Sequence, residues 1–309
     1  MHLLKRFYRY VHNFFKSTPI IKHYVQEQDA EAIKRYLDDE DNRIYEKPGQ
    51  EGVYSVTTIL DKKNDDGKEN ALKYWRKNNN GQGDNADWED LLHYKTNRGT
   101  LAHYAAFNRF DHAFEHGDSM WTEDEAESQA EIDSKHGDQD YLYSVMNDKD
   151  WINSREAFDD YREREDTTIQ DVLTQDIRYV QEEFDKICRE KNIKASNVVE
   201  VEAMFARPPN AEHEGFGGQA DLMYIDEETG EHVVADLKTS KRIYDKHKIQ
   251  AAAYGQAAKE DPELNGDYID RCEIIRICPD TKESEVYVVD NHRELWDEFA
   301  ELTRKTYRG

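Results

Sequence analysis

The order of the secondary-structure patterns after Asn192 is the feature that most constrains the fold of this chain. Short runs rich in β-branched residues alternate there with helical periodicity, and polar turn residues separate them. The predicted elements are strands over residues 198–205, 219–225 and 232–237, a helix over 243–259, strands over 272–278 and 285–289, and a closing helix over 292–307. This order predicts an α/β sandwich built on a mixed sheet.

The first half of the chain has a mainly helical pattern. The predicted segments are a short strand or extended segment over 53–60, helices over 71–77 and 87–116 with a break near residue 98, an acidic insertion over about 118–140, and an amphipathic helix over 169–191. The last of these carries an apolar stripe, which predicts burial of one helix face against the sheet. We therefore expect a mainly helical region over 27–190 and a sheet-containing core over 191–309.

The N-terminus differs from the remainder in charge. Five basic residues and no acidic residue occur in the first 26 positions, and apolar residues recur there at helical spacing over 2–16. The pattern predicts a basic amphipathic helix within residues 1–26. Such a helix would either contact nucleic acid or a membrane surface, or dock on the protein body with its lysines in solvent.

The chain as a whole is strongly acidic. Its 309 residues include 67 Asp and Glu against 42 Lys and Arg, which gives a formal net charge of −25, and only 37% are hydrophobic. Because 11% are aromatic and several runs are strand-like, we predict a folded rather than a disordered protein. The charge would repel phosphate at low salt, but at about 1 M ionic strength the Debye length is only about 3 Å. We therefore hypothesise a halophilic host.

Cysteine content and hydropathy exclude several classes of protein. Cys188, Cys272 and Cys278 are scattered, so we expect a reducing compartment and neither a disulfide framework nor a four-thiolate iron–sulfur cluster. No run approaches the roughly 18 apolar residues that a membrane helix needs, which predicts a cytoplasmic protein without membrane contact. The phosphate-binding pattern GxxxxGK[ST] is missing from the sequence, so we expect no nucleotide cofactor, and any helicase would be a separate chain.

Two predicted strands bring acidic residues together. Asp221 lies in the strand over 219–225, and Asp236 and Lys238 lie two residues apart in the next strand, on one face of the sheet. The short connection over 226–230 ends in glycine and predicts a hairpin, which would place Asp221 opposite position 235 or 236. Two carboxylates and one ammonium would then converge.

Converging carboxylates repel one another unless a cation lies between them, and oxygen ligands of this kind suit Mg²⁺ or Mn²⁺. Lys238 would orient an attacking water and stabilise charge developing on phosphorus. A D-x-K pattern also occurs by chance on solvated hairpins of highly charged chains. The apolar residues over 233–235 favour a buried strand instead.

Several motifs resemble those of one nuclease group. The runs are SVTTIL over 55–60, RGTLAH over 98–103, GQAD over 218–221, VVADLKTS over 233–240 and QAAAY over 250–254. Together they resemble the RecB-type nucleases of the PD-(D/E)xK superfamily, including phage-type and mitochondrial-genome-maintenance-type exonucleases. The resemblance implies a restriction-endonuclease-like core without the iron–sulfur domain of some relatives.

The resemblance also implies the roles of individual residues. The metal ligands would be His103, Asp221, Asp236 and the backbone carbonyl of Leu237, with Lys238 as the catalytic lysine. The face carrying Gln250 and Tyr254 would contact DNA or the lysine, although an alanine-rich packing helix is the alternative. The implied function is a metal-dependent DNA exonuclease, acting at ends or on single strands in replication, recombination or repair. A separate helicase or replication protein is an expected partner, and a virus-encoded source fits.

Other polar residues near the motifs are weaker candidates. Hydroxyl groups that could hold phosphate oxygens, or merely cap local structure, belong to Ser55, Thr57, Thr58, Thr239 and Ser240. Glu202 lies in the strand over 198–205 and is a candidate carboxylate for supporting the site or holding a second metal. Glu200 shares its strand parity, so the sequence does not choose between them.

Three competing interpretations remain. The glycines over 215–220 match a dinucleotide-binding pattern, but a strand rather than a helix is predicted to follow them. Residues 112–116 read HAFEH, which matches an inverted zinc-peptidase motif without an evident third ligand. A catalytically silent nucleic-acid-binding protein of the same fold is the third alternative.

Overall fold

The computed structural model describes residues 33–40, 42–63, 95, 98–99, 101–103, 105–107, 110, 169–260 and 269–308, and for 169–174 the backbone alone. Four predicted features lie outside these residues. They are the basic helix over 2–16, the helix over 71–77, the acidic insertion over 118–140 and the HAFEH motif over 112–116.

A five-stranded mixed sheet forms the centre of the described structure, with strand order β4-β5-β6-β7-β8. Its strands are β4 (Val198–Arg207), β5 (Phe216–Ile225), β6 (His232–Lys238), β7 (Arg271–Cys278) and β8 (Glu283–Val288). Neighbouring strands are antiparallel except β6 and β7, which run parallel. The described helices are α1 (Val56–Lys63), α2 (Ile169–Glu190), α3 (Asp245–Lys259) and α4 (His292–Arg308). The α/β class and the mixed sheet are confirmed.

The hairpin between β5 and β6 is set by its turn. The Asp226 carbonyl accepts a hydrogen bond of 2.7 Å from the Gly230 amide, and Gly230 has a φ of 74°, a conformation that glycine adopts without strain. Asp226 also accepts a hydrogen bond from the Glu228 amide through its side chain. Leu222 consequently pairs with Ala235. The predicted hairpin is confirmed, and this register places Asp221 and Asp236 next to one another at its far end.

Alternate residues of β6 face two different apolar cores. Val233, Ala235 and Leu237 pack with α2 and with the helical residues that precede and follow His103, whereas Val234 packs with α1, α3 and α4. Helix α3 connects β6 to its parallel neighbour β7, which is the crossover that parallel strands require. Because both faces are covered, β6 is buried as the apolar run over 233–235 predicts.

A second, smaller sheet lies upstream of the core. It has three antiparallel strands, β1 (Lys34–Leu37), β2 (Arg43–Glu46) and β3 (Val53–Tyr54), and it was not predicted from the sequence. The prediction of a strand over 53–60 was wrong beyond Tyr54, because α1 begins at Val56. The Ser55 hydroxyl accepts a hydrogen bond of 3.0 Å from the Thr58 amide, so Ser55 caps the helix and overrides the β-branched composition of the run.

The glycine pattern over 215–220 does not form a dinucleotide-binding turn. Gly215 has a φ of 98° and precedes β5, and the remaining glycines lie inside that strand. No helix in the described part of the chain is both long enough and apolar enough to cross a bilayer.

Candidate active site

Asp221 lies in the middle of β5, just beyond the residues that pair with β6, and the neighbouring strand holds it in place. Its Oδ2 atom accepts a hydrogen bond of 2.7 Å from the Leu237 amide, and its side chain is almost fully buried. Burial alone would raise its pKa, but His103, Lys238 and the Leu237 amide together lower it below the usual value. Asp221 is therefore an ionised, fixed carboxylate.

Asp236 and Lys238 form an ion pair on one side of β6, as their spacing predicts. Asp236 is only 1% exposed, and its Oδ2 atom has no other partner among the described residues. Burial, assisted by the charge of Asp221, raises the pKa of Asp236 to about 6, although Lys238 opposes the shift. Two adjacent carboxylates of unequal acidity thus share a buried position with one ammonium.

His103 reaches this pair from the helical segment upstream. Its Nδ1 atom lies 3.5 Å from Asp221 Oδ1, and its ring packs edge-on against Phe107. Burial disfavours the protonated ring, but the Asp221 carboxylate outweighs this and raises the pKa of His103. The structure therefore joins the histidine motif to the hairpin carboxylates, which are separated by more than one hundred residues in the sequence.

Helix α3 contributes a hydrogen-bonded pair. Gln250 Nε2 donates a hydrogen bond of 2.8 Å to the Tyr254 hydroxyl, as the i, i+4 spacing permits. Burial, together with the charge of Asp236, raises the pKa of Tyr254 well above its usual value. Tyr254 also packs so closely on Gly218 that a Cβ atom there would lie 2.6 Å from its ring. The pair is therefore rigid, and its predicted contact with DNA or Lys238 stays a prediction.

The hydroxyl residues near the motifs differ in their surroundings. Ser55 and Thr58 take part in capping α1, and Thr57 Oγ1 lies 2.9 Å from Ser55 Oγ. Ser240 donates to the Arg242 carbonyl at 2.9 Å. Thr239 Oγ1 would lie 3.5 Å from a Cβ atom at Gly99. The motif over residues 98–103, here called the histidine segment, therefore contacts the end of β6. Their predicted phosphate contacts stay predictions.

Glu202 stands opposite Asp221 in the register of β4 and β5. Val201 pairs with Leu222 and Ala203 with Ala220, which leaves Glu202 across from Asp221. Its φ of 52° lies in the left-handed region, which costs a non-glycine residue about 1–2 kcal/mol. Backbone strain of this kind clusters at functional sites. The candidate role of Glu202 is compatible with this position and stays a prediction.

Sequence reasoning missed the residues that anchor the histidine segment. Arg98 is 2% exposed and donates hydrogen bonds of 2.9 Å to Asp176 and 2.7 Å to Asp280. Asp176 lies on α2 beside a buried apolar stripe, and Asp280 follows β7. Nothing in the sequence pattern links two isolated aspartates to a distant arginine, so only the tertiary structure reveals this cluster.

The donor set fits a hard divalent cation in its chemistry. Two carboxylates, an imidazole and the nearby Leu237 carbonyl are the ligand types expected for Mg²⁺ or Mn²⁺, with imidazole favouring Mn²⁺. The buried Asp236 Oδ2 atom accepts no hydrogen bond within the described residues and is paired only with the Lys238 ammonium, so it can also bind a cation. As they stand, the described side chains include no group of three or more His, Cys, Asp or Glu that is close enough to hold a metal. Binding would therefore require these side chains to move closer together.

The fold and this site define an α/β protein with paired carboxylates and a lysine on a hairpin. The chain belongs to the PD-(D/E)XK nuclease superfamily, whose family model matches residues 68–309. The match includes both the histidine segment and the sheet. Proteins of this superfamily are nucleases that generally use Mg²⁺ or Mn²⁺.

Other comparisons are less informative. A crystal structure of SSO0001 is similar with 15% sequence identity and a TM-score of 0.28, over 54% of this chain and 70% of that one. No curated protein is significantly similar to the chain.

Proposed function

We propose that this protein is a metal-dependent DNA exonuclease, which acts on DNA ends or single strands in replication, recombination or repair. The observation that carries the proposal is the meeting of His103 with Asp221 at 3.5 Å, beside the ion pair of Asp236 and Lys238. DNA is the proposed substrate, and a separate helicase or replication protein is a proposed partner.

In the proposed mechanism His103, Asp221, Asp236 and the Leu237 carbonyl would hold a divalent cation. A bound Mg²⁺ or Mn²⁺ supplies Lewis-acid activation of water and of a phosphoryl oxygen. Lys238 orients the water for in-line attack and stabilises the charge that develops on the phosphate. The water gives up one proton as its oxygen forms a bond to phosphorus, one ester bond breaks, and the leaving oxygen gains a proton. The fixed Asp221 keeps its charge throughout.

Digestion of labelled DNA tests the proposal directly. Linear DNA labelled at its 5′ or 3′ end, circular DNA and single-stranded DNA are incubated with Mn²⁺ or Mg²⁺ at several KCl concentrations. An exonuclease releases short labelled products from one end and leaves closed circles intact. Cleavage of circles would contradict the exonuclease assignment, and cleavage without a divalent cation would contradict the metal requirement.

Matched variants test whether cleavage comes from the proposed site or from a contaminating nuclease. Asp236→Asn is expected to abolish cleavage, whereas Asp245→Asn, at a carboxylate whose side chain is 92% exposed, is expected to cleave as the wild type does. Full activity in Asp236→Asn would reject the proposed site.

The two alternatives predict different outcomes. A catalytically silent binding protein would bind DNA but never cut it with either cation. A zinc peptidase acting through residues 112–116 would lose its activity in His112→Ala. We expect the reverse pattern for DNA cleavage, namely loss in His103→Ala and retention in His112→Ala.

A further inference from the structure

Two arginines occupy diagonal positions on one face of the small sheet. Arg35 pairs with Tyr45, and Leu37 pairs with Arg43, so Arg35 and Arg43 are diagonal cross-strand neighbours. Diagonal positions in an antiparallel pair are about 7–8 Å apart, which is within reach of long side chains. Both arginines are half-buried. Their guanidinium groups are thus held near one another by backbone pairing.

The same face of the small sheet packs on β5 close to the candidate site. Tyr45 lies against Gly217 so closely that no side chain could fit there, and Ser55 forms an isolated bridge to Gly217. Arg35 Nη1 donates a hydrogen bond of 3.2 Å to Gln219 Oε1. Gln219 precedes Asp221 by two residues in β5, which is about 7 Å along a strand.

Arg43 reaches the start of α1. Its Nη1 atom is 3.5 Å from Thr57 Oγ1, near the start of α1. Tyr254 is among the groups that affect the pKa of Arg43, and the charge of Asp236 in turn raises the pKa of Tyr254. Arg35 therefore contacts β5 two residues along the strand from Asp221, and Arg43, on the same face of the small sheet, contacts the start of α1.

Neither guanidinium forms an ion pair with a carboxylate in the described part of the chain, although the charge of Asp61 acts on Arg43 from beyond ion-pair distance. The hydrogen bonds of their side chains go to Gln219 and Thr57, both neutral, and no described carboxylate lies within ion-pair distance of either arginine. Burial lowers the pKa of Arg43, and the positive charge of Arg35 lowers it further, although Asp61 opposes the shift. Two half-buried like charges that no described carboxylate pairs with directly leave a position that an anion would stabilise.

We propose that Arg35 and Arg43 form a binding site for a backbone phosphate of the nucleic-acid substrate, next to the phosphate that is cleaved. This site rests on the proposed function. Guanidinium groups bind phosphate through paired, directional hydrogen bonds, and the Gln219 amide and the Thr57 hydroxyl can donate to the same oxygens. The contact would position the strand without reading its sequence.

The test measures affinity for a short single-stranded DNA in the slowed variant Lys238→Met, without added divalent cation so that the DNA is not cleaved, over a series of KCl concentrations. We expect Arg35→Ala and Arg43→Ala each to weaken binding about tenfold, and to reduce the slope of log K against log salt by about 0.7. The control Arg178→Ala, at an exposed arginine of α2, is expected to leave the slope unchanged.

A second measurement locates the phosphate and does not depend on the stability of the variants. Single methylphosphonates, which remove one phosphate charge, are placed in turn along the DNA. A methylphosphonate at one position is expected to weaken DNA binding by the Lys238→Met protein. The same substitution is expected to have no effect on binding by the double variant Arg35→Ala/Arg43→Ala.

The outcomes distinguish the two proposals. If the double variant keeps the DNA affinity and the salt slope of its parent, the phosphate site is overturned. Cleavage of DNA by the wild type would still support the nuclease proposal in that case. A methylphosphonate scan with equal effects in both proteins would also overturn the site. Absence of DNA binding and cleavage in the wild type would overturn both proposals.

Discussion

Arg98 donates a hydrogen bond of 2.9 Å to Asp176, and both side chains are at least 97% buried. The same guanidinium reaches Asp280, so one arginine ties the histidine segment to α2 and to the residues that follow β7. His103 lies five residues after Arg98. The position of the imidazole at Asp221 therefore depends on an ion cluster that lies outside the candidate site itself.

Removal of the Arg98 guanidinium is expected to destabilise the protein. Arg98→Met leaves the buried Asp176 without its main cation, and breaking a buried pair in this way costs about 3–5 kcal/mol. Lys282 also lies 3.6 Å from Asp176, but its side chain is 48% exposed, so Lys282→Met should cost less than about 1 kcal/mol. Urea unfolding measures both changes, and equal losses would contradict the central role of Arg98.

Removal of the Lys238 ammonium is expected to slow cleavage without preventing DNA binding. Lys238→Met loses a charge that acts where the phosphate becomes more negative, and a single group of this kind contributes about 100-fold to 1,000-fold in rate. Single-turnover cleavage and DNA affinity are measured in parallel. Lys241→Met, at an exposed lysine three residues further on, is the matched control and should keep the wild-type rate. An unchanged rate in Lys238→Met would exclude the lysine from the reaction.

The protonation of Asp236 is expected to link stability to pH in the metal-free protein. Burial raises the pKa of Asp236 in the folded state to about 6, above its unfolded value near 4, so folding favours the protonated carboxyl. The charged form therefore costs stability, and this cost develops as the pH rises from about 4 to about 6. Asp236→Asn should gain stability relative to wild type over this range and keep the gain above it. Thermal unfolding at pH 4 to 8 measures the difference.

Added Mn²⁺ should reverse that comparison. A ligand that binds only the folded state stabilises it, so Mn²⁺ should raise the unfolding temperature of the wild type above pH 6 and have little effect on Asp236→Asn. Equal stabilisation of the two proteins by Mn²⁺ would show that the ion binds elsewhere.

The acidic composition is expected to make folding depend on salt. With a net charge of −25, the folded state repels itself at low ionic strength, and salt screens this repulsion. The urea unfolding midpoint should therefore rise from low to multimolar KCl if the proposed halophilic origin is right. A neutral osmolyte at matched osmotic strength serves as the control, and greatest stability at low KCl would reject the hypothesis.

The sequence was a good guide wherever structure depends on local pattern. The apolar stripe of α2 is buried, as its periodicity predicts, with Ile177, Val180, Phe184 and Ile187 in the core. The glycine-terminated turn after Asp226 correctly predicted the register that brings Asp221 to β6. Strand alternation then placed Asp236 and Lys238 together.

The sequence pattern predicted the wrong secondary structure where a single capping side chain decided it. The β-branched run over 53–60 resembles a strand, but the Ser55 cap makes its second part a helix. The three-stranded sheet that carries Arg35 and Arg43 was also missed, because its strands have only two to four residues and lack a long alternating pattern.

The sequence by itself determined the order of the core elements and the paired carboxylates of the hairpin, because turn chemistry and strand periodicity act over a few neighbouring residues. Only the tertiary structure decided that His103 meets Asp221, that Arg98 is held by Asp176, and that Arg35 and Arg43 border the same corner of the sheet. These contacts join segments far apart in the chain. They depend on how the helices and the small sheet pack on β5 and β6, which no local pattern encodes.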